Sequence, residues 1–255
     1  MPYDTYYAFP ASYLEACQKL RESAEKRLEE FAKAHRRGEV QLQCEVQDGV
    51  ATDSILSLAE AKAVDLIVMG THGLRGIDRL TLGSVTEKVI RKARCPVLAV
   101  RKPPHGFVSQ PGGPDLIHPH RVLCCTDSPD QSDLAWDHAL SIAEEYGAEL
   151  TLLHVREDIS NLSDIETETT KTLELLERQI SARARKNGIT KAAVRIGKAY
   201  QQIIEFALES RTDVVITGVR GRHALDLAIF GSTTYRVVQL GPCPVLVVQV
   251  RCLQR

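Results

Sequence analysis

Apolar and polar residues in the second half of the chain predict strands that alternate with helices. Short apolar runs predict buried strands, and apolar residues repeated every three to four positions predict helices. The predicted strands are 121–126, 149–155, 192–196, 214–217 and 244–250, and the predicted helices are 134–146, 170–186, 200–210 and 232–240. This alternation predicts a parallel, doubly wound α/β sheet, because parallel neighbours require crossover connections.

The first part of the chain shows a shorter series of the same kind. The pattern predicts helices at about 12–34, 52–61 and 84–92, and strands at 40–46, 66–69 and 96–100. Nothing that precedes them corresponds to 121–155. We therefore expect this half to lack its opening β-α-β unit, either through a misplaced start or trimmed sequence or through a reorganised half-domain.

A glycine pattern, G-x2-G-x9-G-S, occurs twice in the chain at an offset of 148 residues. The two copies consist of Gly70, Gly73, Gly83 and Ser84, and of Gly218, Gly221, Gly231 and Ser232. The flanking residues keep the same register from Gly49/Gly197 to Val100/Val248. These matches predict an internal duplication, with domains at 1–101 and 119–252 joined by a Pro- and Gly-rich linker at 102–118.

Composition narrows the class of protein. The 255 residues are 44% hydrophobic and 25% charged, with a net charge of −1, so we expect no nucleic-acid-binding surface. No apolar run approaches the roughly 20 residues that span a bilayer, and we expect a cytoplasmic protein without a membrane partner. The seven cysteines, mostly in apolar strand-like segments, are interpreted as buried small hydrophobic residues rather than redox or metal sites.

Each glycine pattern lies between a predicted strand and a predicted helix. The N–H groups at a helix start suit a phosphate, and the helix dipole adds partial positive charge there. The first two glycines would allow positive φ and close backbone approach, and the third would leave space for the phosphate. The alternative is that the glycines only form a turn and that Ser232 is an N-cap.

Two polar residues follow the strands that should lie beside this loop. Asp127, at the end of the strand 121–126, could accept hydrogen bonds from a ribose or an adenine edge, or could cap the turn 127–130. His154 lies near the end of the next strand. A single histidine there is more often a core residue or a ladder neighbour than a catalyst.

Two sequence stretches resemble the universal stress protein family. They are V-D-L-I-V-M-G-T-H-G at 64–73 and L-G-S-V-T-E-K-V-I-R-K-A-R-C-P-V-L-A-V at 82–100. The second half is similar over 213–248 and in its motifs V-L-C-C-T-D and L-L-H-V. The resemblance is to a tandem member of the ATP-binding branch, and it implies Rossmann-like five-stranded parallel sheets of order 3-2-1-4-5.

The resemblance also implies roles for individual residues. Asp127 would contact the nucleoside, and the backbone of Val155 would meet adenine. Gly218 and Gly221 would wrap the phosphates, which the helix start would hold through Gly231, Ser232 and Thr233. The first repeat keeps Gly70, Gly73, Gly83 and Ser84 without a matching Asp or Val, so it would hold phosphates only.

The function implied by the resemblance is that of an ATP-binding regulatory protein of the stress response. ADP and AMP are alternative ligands, and Mg²⁺ is a candidate companion of the nucleotide. The two repeats are expected to pair within the chain, and a homodimer is a further candidate. No catalytic or metal-binding residue is assigned. Weak ATP hydrolysis or autophosphorylation, and a stress scaffold that binds no nucleotide, remain the alternatives.

Overall fold

The computed structural model describes residues 11–36, 40–71, 82–101, 118–128, 134–157, 165–183, 190–220 and 231–250. The chain divides into two compact units, residues 1–54 and 55–255. The predicted linker, 102–118, lies outside the described residues apart from residue 118. None of the described helices is both long and apolar enough to cross a membrane.

The helices and strands follow the predicted order, with one exception. The helices are α1 (Ala11–His35), α2 (Ala51–Ala61), α3 (Ser84–Lys92), α4 (Leu134–Tyr146), α5 (Ile165–Arg183), α6 (Ala199–Glu209) and α7 (Ser232–Leu240). The strands are β1 (Ile67–Gly70), β2 (Val97–Val100), β3 (Arg121–Thr126), β4 (Glu149–Arg156), β5 (Thr190–Ile196), β6 (Val214–Arg220) and β7 (Val245–Val250). The exception is the strand predicted at 40–46.

The larger unit is built on one sheet of seven strands in the order β1-β2-β7-β6-β3-β4-β5. Strands β3 to β7 are mutually parallel and form the order 3-2-1-4-5 when numbered within the second repeat, which confirms that prediction. Apolar clusters cover both faces of this part of the sheet. On one face, α4 brings Ala135, Ala139 and Ala143, whose small side chains allow close packing on the strands.

Strands β2 and β7 pair antiparallel, and this pairing joins the first-repeat strands to the rest of the sheet. Leu98 lies opposite Leu246, the residue 148 positions further along the chain. Side chains reinforce the pairing, because the Arg101 guanidinium donates to the Gln239 carbonyl at 2.6 Å and the Gln249 amide donates to the Ile90 carbonyl. The two last strands are therefore related by a local two-fold arrangement centred on the leucines.

The ends of α2 and α6 show the same local geometry in the two sequence copies. Ala63 and Arg211 both have positive φ, 45° and 50°. The N–H that follows each of them bonds back across the helix end, from Val64 to Ala59 at 3.0 Å and from Thr212 to Ala207 at 2.9 Å. The duplicated sequence thus produces the same left-handed helix termination twice.

The strand predicted at 40–46 is wrong, because that segment has no strand structure. It lies in the smaller unit, where Arg21 of α1 donates to the Val46 carbonyl at 3.2 Å and forms an ion pair with Asp48. Its counterpart in the second repeat is β5, which forms because β4 supplies hydrogen bonds along its whole length. Alternating hydrophobicity alone does not make a strand without such a neighbour.

Burial differs sharply between equivalent positions of β1 and β6. Val68 is 59% exposed, whereas its counterpart Ile216 is 0% exposed, and Leu66, just before β1, is 44% exposed against 7% for Val214. In the second repeat, β3 pairs with β6 and α4 covers the same face. No strand in the described part of the chain pairs with the outer side of β1. Leu66 and Val68 are exposed because no described strand or helix covers β1 as β3 and α4 cover β6.

The cysteines differ in exposure, with Cys95 half-buried and Cys252 outside the described residues. Cys124, Cys125 and Cys243 are buried as predicted, and burial raises the pKa of the Cys243 thiol to about 12. The prediction is wrong for Cys17 and Cys44, which are exposed in the smaller unit. Their segments have apolar patterns but are not packed against a covering layer.

We expect the burial difference to appear in the free energy of unfolding. Ile216→Ala should lower it by about 2–5 kcal/mol, because the change leaves a cavity in a closed core. The matched change Val68→Ala should cost less than about 1 kcal/mol, since that side chain is already solvated. Urea denaturation of the two variants measures both values. Equal losses would contradict the difference in packing.

Candidate functional site

The carboxyl ends of three parallel strands place the candidate nucleoside residues at one edge of the sheet. β3 lies between β4 and β6. Thr126 is opposite His154, and Cys125 is opposite Thr217. Asp127, Val155 and Gly218 each follow these paired residues by one position, so they lie at adjacent places along the same edge. This is the edge where ligands of open α/β sheets bind.

The three residues differ in exposure and surroundings. Asp127 is exposed, Gly218 is half-buried within β6, and Val155 is half-buried against the apolar cluster that includes Leu153. The expectation of positive φ is wrong for Gly70 and Gly218, because both continue their strands in ordinary extended geometry. Gly73 and Gly221 lie outside the described residues.

The helix start that should hold phosphate is formed by Gly231 and the first turn of α7. Gly231 occupies the N-cap position with φ −60° and ψ 147°, and no side chain caps the helix there. Ser232 is the first helical residue and is exposed, so it is not the N-cap. The first turn contains no acidic residue. Its N–H groups, which lack intrahelical partners, therefore present donors and a positive dipole end.

Gly231 is not required by its own backbone. Its φ and ψ suit any residue, and a Cβ added there would have no described atom within 4 Å. Gly197 is different, because its φ of 133° lies in a region that L-residues rarely adopt. Among the described residues, the space at Gly231 is therefore open to a ligand at the helix start.

The first-repeat loop has a related but distinct structure. Gly83 also precedes its helix with φ −60° and ψ 133°, and its N–H donates to the Thr71 carbonyl at 2.8 Å. The Thr86 hydroxyl donates to the Gly70 carbonyl at 2.8 Å, which ties the strand end to the helix. Glu87 lies in the first turn of α3, paired with Arg91 at 2.9 Å, and its carboxylate makes this helix start less favourable for an anion.

The two loops follow strands that run in opposite directions. β1 is parallel to β2, and β2 is antiparallel to β7, which is parallel to β6. β1 and β6 therefore end at opposite edges of the sheet, with Gly70 as the last residue of β1 and Gly218 two residues before the end of β6. Gly70 therefore lies at the edge of the sheet opposite to the one that carries Asp127 and Val155.

The contact of His154 with the end of β3 was missed from the sequence. His154 is half-buried, and its Nδ1 lies 2.9 Å from the Thr126 carbonyl oxygen. The Thr126 hydroxyl in turn bonds to the backbone of Ser128. The sequence does place a histidine and a threonine at the ends of adjacent predicted strands. Whether the two residues lie opposite each other depends on the strand register, which the sequence does not give.

Comparison with known proteins identifies one family over most of the chain. The family model described as "Universal stress protein family" matches residues 2–101 and 119–249. A universal stress protein of Methanocaldococcus jannaschii is 44% identical over 84 residues, which are 33% of this chain and 49% of that protein. One of Mycolicibacterium smegmatis is 27% identical over 215 residues, which are 81% of this chain and 69% of that protein.

A solved structure shows the same fold. The crystal structure of a universal stress protein from Archaeoglobus fulgidus is 22% identical and superposes with a TM-score of 0.63. The match covers 99% of this chain and 84% of that one. The chain spans about half the length of the Methanocaldococcus jannaschii relative. The match to the Archaeoglobus fulgidus structure supports the fold alone.

The contrast between two glycines gives a test of which one the fold requires. Gly231→Ala should change the free energy of unfolding by less than about 0.5 kcal/mol, because its backbone and surroundings accept a methyl group. The control Gly197→Ala should lower it by about 1–3 kcal/mol, because its φ is strained for alanine. Urea denaturation measures the free energy of unfolding of both variants. A large loss at Gly231 would show that the fold itself needs this glycine.

Proposed function

We propose that the chain, which belongs to the universal stress protein family, binds an adenine nucleotide, ATP in the first place, at the edge formed by β3, β4 and β6. The observation that carries the proposal is the open space at Gly231 beside an uncapped helix start without acidic residues. A glycine that its own backbone does not require, at a place suited to phosphate, supports a ligand-binding role.

The proposed contacts follow the geometry of the edge. Asp127 accepts hydrogen bonds from the ribose hydroxyls, and the backbone of Val155 faces adenine. Gly218 and Gly221 wrap the phosphates. The remaining phosphate contacts come from the helix start, with N–H groups and hydroxyls supplied by Ser232 and Thr233. Mg²⁺, which binds through phosphate oxygens, would arrive with the nucleotide.

We propose a regulatory role, in which nucleotide occupancy selects between conformations or partners of a cytoplasmic stress-response protein. The described residues contain no group of three or more His, Cys, Asp or Glu side chains arranged to hold a metal ion. Phosphoryl transfer uses metal ions and a residue that positions the nucleophile. We propose binding without required turnover, which needs only the strand-end residues and the helix start described above.

We further propose that the domains are 1–101 and 119–252 and that they pair through β2 and β7, with Leu98 facing Leu246. In this arrangement the first repeat extends the sheet and carries a loop for phosphate alone. The second repeat carries the complete nucleotide site.

The full chain should bind one ATP, as measured by isothermal titration calorimetry. Gly231→Val should weaken ATP binding by at least about tenfold, because a branched side chain fills the phosphate position. Ser232→Ala should weaken it by about two- to tenfold through loss of one hydroxyl contact. Gly83→Val changes the other loop and should leave the affinity and stoichiometry for ATP as they are.

Three outcomes would count against this assignment. Absence of binding by the wild-type chain at millimolar ATP would favour a scaffold without nucleotide. Equal effects of Gly83→Val and Gly231→Val would contradict the difference between the repeats. ATP turnover well above background that Gly231→Val abolishes would support an enzyme instead.

A further inference from the structure

The backbone at the end of β3 is held by a side chain of β4. His154 lies opposite Thr126 in the parallel ladder, and His154 Nδ1 is 2.9 Å from the Thr126 carbonyl oxygen. A carbonyl oxygen only accepts hydrogen bonds, so Nδ1 carries the proton and donates it. This bond acts at the last residue of the strand, where the backbone leaves the sheet.

The side chain of Thr126 also stabilises the backbone just after β3, through bonds to Ser128. Its hydroxyl donates to the Ser128 carbonyl at 3.1 Å and accepts from the Ser128 N–H at 3.2 Å. Asp127 therefore lies in the chain between two residues that are bonded to each other through the Thr126 hydroxyl and the Ser128 backbone. The Thr126 carbonyl also belongs to the planar peptide unit that contains the Asp127 N–H and Cα, so fixing this carbonyl fixes the positions of those Asp127 atoms.

We propose that His154 is a positioning residue for Asp127 in the nucleotide site. By fixing the Thr126 carbonyl, the imidazole holds the Asp127 Cα in the position from which its carboxylate reaches the ribose, before the nucleotide arrives. The bound geometry is then already present, and less conformational freedom is lost on binding. This inference rests on the proposed adenine-nucleotide function, and it gives a binding role to a histidine that touches no part of the nucleotide.

The role predicts a selective effect on the nucleoside half of the ligand. His154→Leu removes the donor and should weaken ATP binding to the full chain by about tenfold, the equivalent of one hydrogen bond. His154→Asn places an amide donor near the position of Nδ1 and should stay within about threefold of wild type. Inorganic triphosphate, measured by its displacement of ATP, should bind all three proteins equally, since it contacts only the loop and the start of α7.

A double-mutant cycle with Asp127→Ala tests whether the histidine acts through the aspartate. In the Asp127→Ala background, His154→Leu should weaken ATP binding by less than about twofold, because the group that it positions is gone. Additive losses, or an equal loss of triphosphate affinity, would show a general structural role and overturn the inference. Wild-type chain that binds no ATP overturns the proposed function together with this inference, whereas normal ATP binding with additive losses overturns the positioning role alone.

Discussion

The parallel pairing of β3 with β4 on one side and β6 on the other is the constraint on which the candidate site depends. Parallel strands bring their carboxyl ends to one edge, and their crossover helices occupy the two faces. At that edge Asp127 is exposed, while most of the strand that precedes it is buried. Because α7 connects β6 to β7, which are also parallel, its N-terminus comes to the same edge. Topology alone thus brings a strand-end carboxylate and a helix start together.

The antiparallel pairing of β2 with β7 determines where the two copies of the glycine pattern lie relative to each other. Equivalent leucines face each other, and the first-repeat strands run against those of the second. The two copies of the glycine pattern thereby follow strands that end at opposite edges of a continuous sheet. They are not the two halves of one site, and only the second copy follows a strand that ends at the edge carrying Asp127 and Val155.

The equivalent strands β1 and β6 show how much of a strand's environment comes from its neighbours. Val68 and Ile216 have the same place in the repeat, yet one is largely solvated and the other fully buried. The difference arises from β3 and α4, which cover β6 and have no counterpart against β1 in the described part of the chain. Segment 40–46 also depends on its neighbours. Its alternating pattern forms no strand because no described strand pairs with it.

The sequence by itself determined the order of helices and strands in the second repeat, the sheet order implied by the family resemblance, and the spacing of the glycine pattern. The order of elements and the glycine spacing depend on local periodicity and short-range turn chemistry, which neighbouring residues carry, whereas the sheet order is what the family resemblance implied. The tertiary structure decided which glycine the backbone requires, Gly197 rather than Gly231, and that Gly218 continues a strand. It also decided that His154 bonds to Thr126, because the contact depends on a register between strands that no local pattern encodes.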